Sequence, residues 1–257
     1  MVFAGGVDMS GHSKWATIKH KKGKADKARG KTFAKLARQL EVSTREGGGD
    51  PASNASLRTI VLKAKAAQMT NDAIDRAIKR GMGEHTGAAF ESITYEAYAP
   101  GGVAMLIDAL TDNRNRTASD VRLAFSKSGG AMAEPGAVGW QFSRKGVVQI
   151  DKSVSEDEVM MVSLEHGAED VVDDGDTWRV TCDSQALYEL KASLEAAGMN
   201  VVSAVSTMVS SLQVPVTDIA DAKKILRIMD DLEDNDDVQD VYANFDMSDA
   251  ILEEAAS

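Results

Sequence analysis

Val147-Val-Gln-Ile150, Ser155-Glu-Asp-Glu158 and Thr177-Trp-Arg-Val-Thr-Cys182 are the segments whose reading decides the fold of this chain. The first and last are short runs rich in β-branched residues, the composition of strands. Ser155 and Glu158 have capping-box spacing and open a helix that reaches about His166. Asp170–Val172 and Thr177–Cys182 form a hairpin around Asp173-Asp174-Gly175-Asp176, where Gly allows a tight turn. Leu187, Leu190 and Leu194 then recur at helical spacing, and Val201–Val209 is a closing strand. The order is β-α-β-β-α-β.

That order is the split βαβ of ferredoxin-like folds. Upstream, Ile93–Tyr98 and Val103–Leu110 read as strands joined at Pro100-Gly101-Gly102. Thr117–Ser128 reads as a helix, opened by Thr117 and Asp120 in capping-box spacing and stopped by Gly129-Gly130, and Val138–Phe142 as a short strand. Downstream come a helix through Ile219, Ala222, Ile225, Leu226, Met229 and Leu232, and a strand, Val238–Phe245. The first third is helical. From Gly30 to Arg45, Phe33, Leu36, Ala37 and Leu40 form one apolar stripe, with Lys31, Lys35, Arg38 and Arg45 on the opposite face. Gly47-Gly-Gly-Asp-Pro51 ends that helix. A second helix runs from about Ser53 to Gln68, and Thr70 caps a third that closes at Gly81, with Met69 and Ile74 as a hydrophobic staple. The expected fold class is α+β multidomain: an N-terminal three-helix domain at 9–82, an α+β domain at 89–143 plus 210–246, and a ferredoxin-like domain at 144–209 inserted into it.

Charge is distributed unevenly over this plan. Between Ser10 and Leu40 stand ten cations, Lys14, Lys19, Lys21, Lys22, Lys24, Lys27, Arg29, Lys31, Lys35 and Arg38, against one acid, Asp26. The whole chain has 29 basic and 40 acidic residues, a net −11. Residues 1–88 hold 17 basic and 8 acidic residues, which leaves 12 and 32, or −20, for residues 89–257. A basic end on an acidic protein points to a polyanionic partner. Lysines neutralise phosphates and release counterions, and this selects backbone or shape recognition over a base code. The candidate nucleic-acid contacts are therefore those ten cations together with Trp15 and His20. Trp15 either stacks on a base or packs into its own domain's core. In Thr111-Asp-Asn-Arg-Asn-Arg-Thr117, Arg114, Asn115 and Arg116 are a candidate secondary contact, or else members of a self-satisfied cap network.

Other chemistries find little footing. Gly129–Gly136 lacks the Gly-Lys-Ser/Thr ending of a phosphate loop. The acids from Asp230 to Asp240 lack the Gly and terminal Glu of a calcium loop, and read as a solvated helix end. His12, His20, His85 and His166 have no zinc spacing, and Gly-x-Ser-x-Gly is absent. No metal, cofactor or enzymatic activity is expected. Cys182 reads as a small buried thiol, which fits a reducing cytoplasm. No apolar run approaches the ~20 residues that span a bilayer, so no membrane partner is expected. Residues 1–8 are too short and uncharged for a signal peptide, and Met9 reads as an alternative start.

Gly11-His-Ser-Lys-Trp-Ala16, Ile18-Lys-His20, Arg29-Gly-Lys31, Arg45-Glu-Gly-Gly-Gly-Asp-Pro51 and Ala77-Ile-Lys-Arg-Gly81 together resemble the YebC family. So do Tyr95-Glu-Ala-Tyr-Ala-Pro-Gly-Gly102, Leu110-Thr-Asp-Asn-Arg-Asn-Arg-Thr117, Lys127-Ser-Gly-Gly130 and Asp237-Val-Gln-Asp-Val-Tyr-Ala-Asn-Phe245. The likeness spans Met9 to Asp246. It departs at Ala131-Met-Ala133, where an Asn, an apolar residue and a Gly are usual, at Ala137 for Ser, and at Thr70 for Pro. The resemblance implies three domains, one inserted in another, and a non-enzymatic, DNA-binding transcriptional regulator. The related mitochondrial translational activators of cytochrome c oxidase imply an alternative. In that case rRNA or tRNA on the ribosome is the target, proline-rich synthesis is assisted, and basic ribosomal proteins meet the acidic domains.

Overall fold

The computed structural model describes residues 25–84 and 90–256, with side chains from Gly30 onward apart from those of Glu84 and Asp249. Helix α1 spans Ala25–Gly47, and its stripe of Leu36 and Leu40 is buried, with Phe33 and Ala37 packed beside it. It ends where Gly48, at φ +86, lets its N–H bond Thr44 O at 2.8 Å. Helix α2 is Ala55–Ala66. Its cap is Asn54, whose carbonyl accepts from Leu57 N while its amide donates to Ser43 O and Gly48 O, tying α2 to the end of α1. The expected run to Gln68 stops two residues short, because Gln68 itself adopts φ +65. Helix α3, Asn71–Lys79, opens on Thr70 as its spacing requires, and both staple residues are buried. Gly81 does not close it. The chain continues in a π turn, Arg80–Glu84, and a Cβ on Gly81 would lie 2.5 Å from Glu41 O, so this glycine permits close packing on α1.

Strands β1 (Glu91–Ala99) and β2 (Val103–Thr111) pair antiparallel around Pro100–Gly102. Helix α4 spans Arg114–Lys127, and β3 is Ala131–Met132. Strand β4, Phe142–Asp151, begins the next unit. Helix α5 is Glu156–Glu165 and carries the complete Ser155–Glu158 capping box. Strands β5 (Ala168–Asp174) and β6 (Thr177–Asp183), helix α6 (Leu187–Ala196) and β7 (Val201–Ser210) follow. Then come β8 (Val214–Pro215), α7 (Ile219–Glu233), β9 (Val238–Ala243), β10 (Phe245–Asp246) and α8 (Asp249–Ala255).

Among the described residues two antiparallel four-stranded sheets result, ordered β3-β1-β2-β9 and β5-β6-β4-β7, with β8 and β10 as a short parallel pair. The second order is that of a ferredoxin-like sheet, built wholly from residues 142–210. The chain then returns to lay β9 beside β2, with Ile107 opposite Val241. Four apolar clusters form among the described residues: α1–α3 around Leu40 and Leu57, the first sheet with α4, α7 and α8 around Phe125 and Ile225, the second sheet with α5 and α6 around Val180 and Leu190, and a smaller one of Ala104, Leu106, Val138, Phe142 and Tyr242 on the other face of the first sheet. Cys182 is buried in the third of these, and burial pushes its thiol up.

Three further expected elements differ. Helix α4 starts at Arg114, capped by the Asn113 carbonyl, and the Thr117 hydroxyl is used elsewhere. The strand expected over Val138–Phe142 begins only at Phe142, as the first residue of β4, because the N–H groups of Val138 and Gly139 donate to the Glu96 carboxylate and are lost to a ladder. Strand β9 stops at Ala243, since the Asn244 side chain accepts from Ala104 N and donates to Gln141.

Candidate nucleic-acid interface

Lys14, Trp15, Lys19, His20, Lys21, Lys22 and Lys24 lie outside the described residues, and Lys27 and Arg29 are described only as backbone of α1. The remaining three candidates stand at i, i+4 and i+7 on α1, one stripe of its surface. That stripe faces the acidic turn between α7 and β9. Lys31 Nζ bonds Asp234 Oδ1 at 2.7 Å and Asp234 O at 2.9 Å. Lys35 Nζ donates to Glu233 O at 3.1 Å. Arg38 Nη1 reaches Asp237 Oδ1 and Asp236 O, each at 2.6 Å, and its guanidinium lies 5.1 Å from the Phe90 ring centre. Gln39 joins Gln239 alongside. The expectation of a solvated acidic helix end is corrected here: carboxylates and carbonyls of this turn receive cations from another domain.

Asp237 anchors the junction. Its side chain is 4% exposed, and Oδ2 accepts from Arg116 Nη2 at 2.7 Å, Thr117 Oγ1 at 2.8 Å and Thr111 Oγ1 at 3.2 Å. Burial opposes its ionisation, but the bonds from Arg116, Thr117 and Arg38 outweigh that and hold the carboxyl below its ordinary value. Arg116 also pairs with Asp112, and these two carboxylates drive the guanidinium further toward its charged form. Arg114 pairs loosely with Glu91 at 3.6 Å, and Asn115 accepts from Ser119 through its carbonyl. Thr111, Asp112, Arg116 and Thr117 thus form a hydrogen-bonded network closed on Asp237, and the Arg114 side chain stays 66% exposed outside it. A cleft of about 390 Å³ over the junction is lined by Arg38, Asp112, Arg116, Asp120, Asn235 and Asp237. Among the described residues, no group of three His, Cys, Asp or Glu is placed to hold a metal ion.

Sequence reasoning missed Asp237 as a functional position. The signal was there in charge balance: a stripe of cations on α1 and a run of acids from Asp230 to Asp240 are local excesses of opposite sign. It also missed Glu96, whose carboxylate accepts N–H bonds from Gly136, Val138 and Gly139 at 2.6 to 2.8 Å. Burial opposes its charge and the three N–H groups prevail, so its carboxyl also sits low. The glycine-rich loop is thereby folded around an internal anion.

Residues 13–84 match the family model described as the TACO1/YebC protein N-terminal domain, and residues 90–245 match that of the TACO1/YebC second and third domain. The chain belongs to the TACO1/YebC family. Among curated relatives, a "Probable transcriptional regulatory protein" of Beutenbergia cavernae is 51% identical over 247 residues, covering 95% of this chain and 98% of the relative. One of the same name from Halothermothrix orenii is 49% identical, covering 96% and 98%. A solved structure, that of a conserved hypothetical protein of Aquifex aeolicus, superposes with TM-score 0.78 at 44% identity, covering 92% of this chain and 98% of that one.

Proposed function

We propose that this protein is a non-enzymatic transcriptional regulator that binds duplex DNA through the cationic segment Lys14–Arg29. The observation that carries the reading is the charge of residues 10–29, seven cations against one acid on a chain of net −11. The regulatory role agrees with the names of relatives that align over nearly the full chain. Further along α1, the cations at 31, 35 and 38 are engaged by the acidic turn, so first contact with phosphate falls to the earlier residues. Titrating labelled duplex DNA by fluorescence anisotropy tests this. Affinity falls with salt on a log–log slope of about −5, and charge reversal at Lys19, Lys21 and Lys22 abolishes binding. Salt-independent binding, or binding that survives the reversal, overturns it.

One observation favours a second reading. Residues 89–257 carry −20, and extended duplex repels such a body more than a compact RNA site flanked by basic proteins does. Co-sedimentation with ribosomes at physiological salt, with weak binding to every duplex tried, selects this ribosomal reading.

A further inference from the structure

We infer that the Lys31–Lys35–Arg38 face of α1 is a second phosphate-binding strip, and that the acidic turn 233–237 occupies it as an internal competitor of nucleic acid. The inference rests on the proposed nucleic-acid binding and concerns how that binding is regulated.

Spacing supports the strip. From residue 31 to residue 38 the helix rises about 10 Å, a length that faces about three phosphates of one DNA strand. The turn fills the same length with oxygen atoms, from Glu233 O through Asp234 to Asp237. It imitates a run of phosphates in geometry but only in part in charge. Lys35 and one bond each of Lys31 and Arg38 end on neutral main-chain carbonyls of the turn. A cation bonds more strongly to an anionic oxygen than to a neutral one, so phosphate is the better acceptor at these positions. Burial lowers the Lys35 ammonium from its usual value and Lys31 lowers it further, and the neighbouring Glu233, Asp240 and Asp236 do not make up the difference. The docked state partly desolvates that charge.

The junction can also open without leaving damage behind. The α1–α3 core is made by α1, α2 and α3 alone, with Leu40 and Leu57 fully buried in it. Apart from the Phe90 ring beside Arg38, the contacts across the junction named above are polar, as expected of domains that move relative to one another. When Arg38 leaves, Asp237 keeps Arg116, Thr117 and Thr111, so no buried carboxylate is orphaned.

The test uses the full chain, with duplex DNA and RNA as probes. A Glu233→Gln, Asp234→Asn, Asp236→Asn variant spares Asp237. Its control is Asp173→Asn, Asp174→Asn, Asp176→Asn, which removes three charges at the β5–β6 hairpin. The turn variant binds the probe about tenfold tighter than wild type, and the control changes affinity less than about twofold. Fluorophores on cysteines at Thr32 and Asn235 report the junction, and their energy transfer falls when wild type is saturated with probe. Equal tightening in both variants, or unchanged energy transfer at saturation, overturns the inference and leaves nucleic-acid binding intact. Absence of binding by wild type to either probe overturns the parent reading instead.

Discussion

Asp173, Asp174 and Asp176 stand at the tip of a hairpin, while Glu233, Asp234, Asp236 and Asp237 stand at the junction of α7 and β9. Composition hardly separates the two turns. At the hairpin, Asp173 remains 63% exposed beside Lys152 and accepts from Gly175 N, so its bonds are wet. At the junction, Asp237 is 4% exposed and gathers Arg38 from one domain and Arg116, Thr111 and Thr117 from another. What differs is the surface opposite. A carboxylate becomes structural when two elements distant in sequence bring hydrogen-bond donors to it, and the number of acids around it does not decide the matter.

The sharpest way to break the contrast is Asp237→Asn. It leaves two guanidinium groups facing a neutral amide in a buried position, and unfolding in urea registers a loss of about 3 kcal/mol. The matching Asp173→Asn leaves the urea midpoint unchanged. Lowering the pH sharpens the same point. Because the folded-state carboxyl of Asp237 is held below its unfolded value, its stabilisation is complete above the ordinary carboxylate range. It is lost as pH falls through the depressed folded value. The gap in stability between wild type and Asp237→Asn therefore closes on acidification, which urea titrations from neutral to acidic pH measure. The smallest effect belongs to the rim. A double-mutant cycle with Lys31→Met and Asp234→Asn gives a coupling of about 0.5 kcal/mol, which vanishes at ~1 M salt.

Local chemistry was legible and distant chemistry was not. Ser155 with Glu158, Thr70 with its staple, and the β-α-β-β-α-β order of 142–210 all follow from residues that touch near neighbours in sequence. Thr117 with Asp120 has the same spacing as a capping box, yet Asn113 caps the helix and Thr117 turns to Asp237, 120 residues away. Likewise Val138 has strand composition, but Glu96, 42 residues upstream, takes its N–H. Outward-facing cations on α1 were visible from periodicity, whereas their acceptors required knowing which loop returns to meet them. A carboxylate's partners across a fold leave no periodic trace.

The return of β9 to β2 has a consequence for the chain as it is made. All four strands of the second sheet lie within residues 142–210, so that sheet can close soon after its last residue emerges. The first sheet must wait: Met105 to Ala109 keep an open edge until Val238–Ala243 appears, about ten seconds later at cellular rates of synthesis. The turn that faces α1 immediately precedes that last strand. During nearly the whole of translation, then, the nascent protein carries a bare cationic helix, and only the finished molecule has the means to cover it.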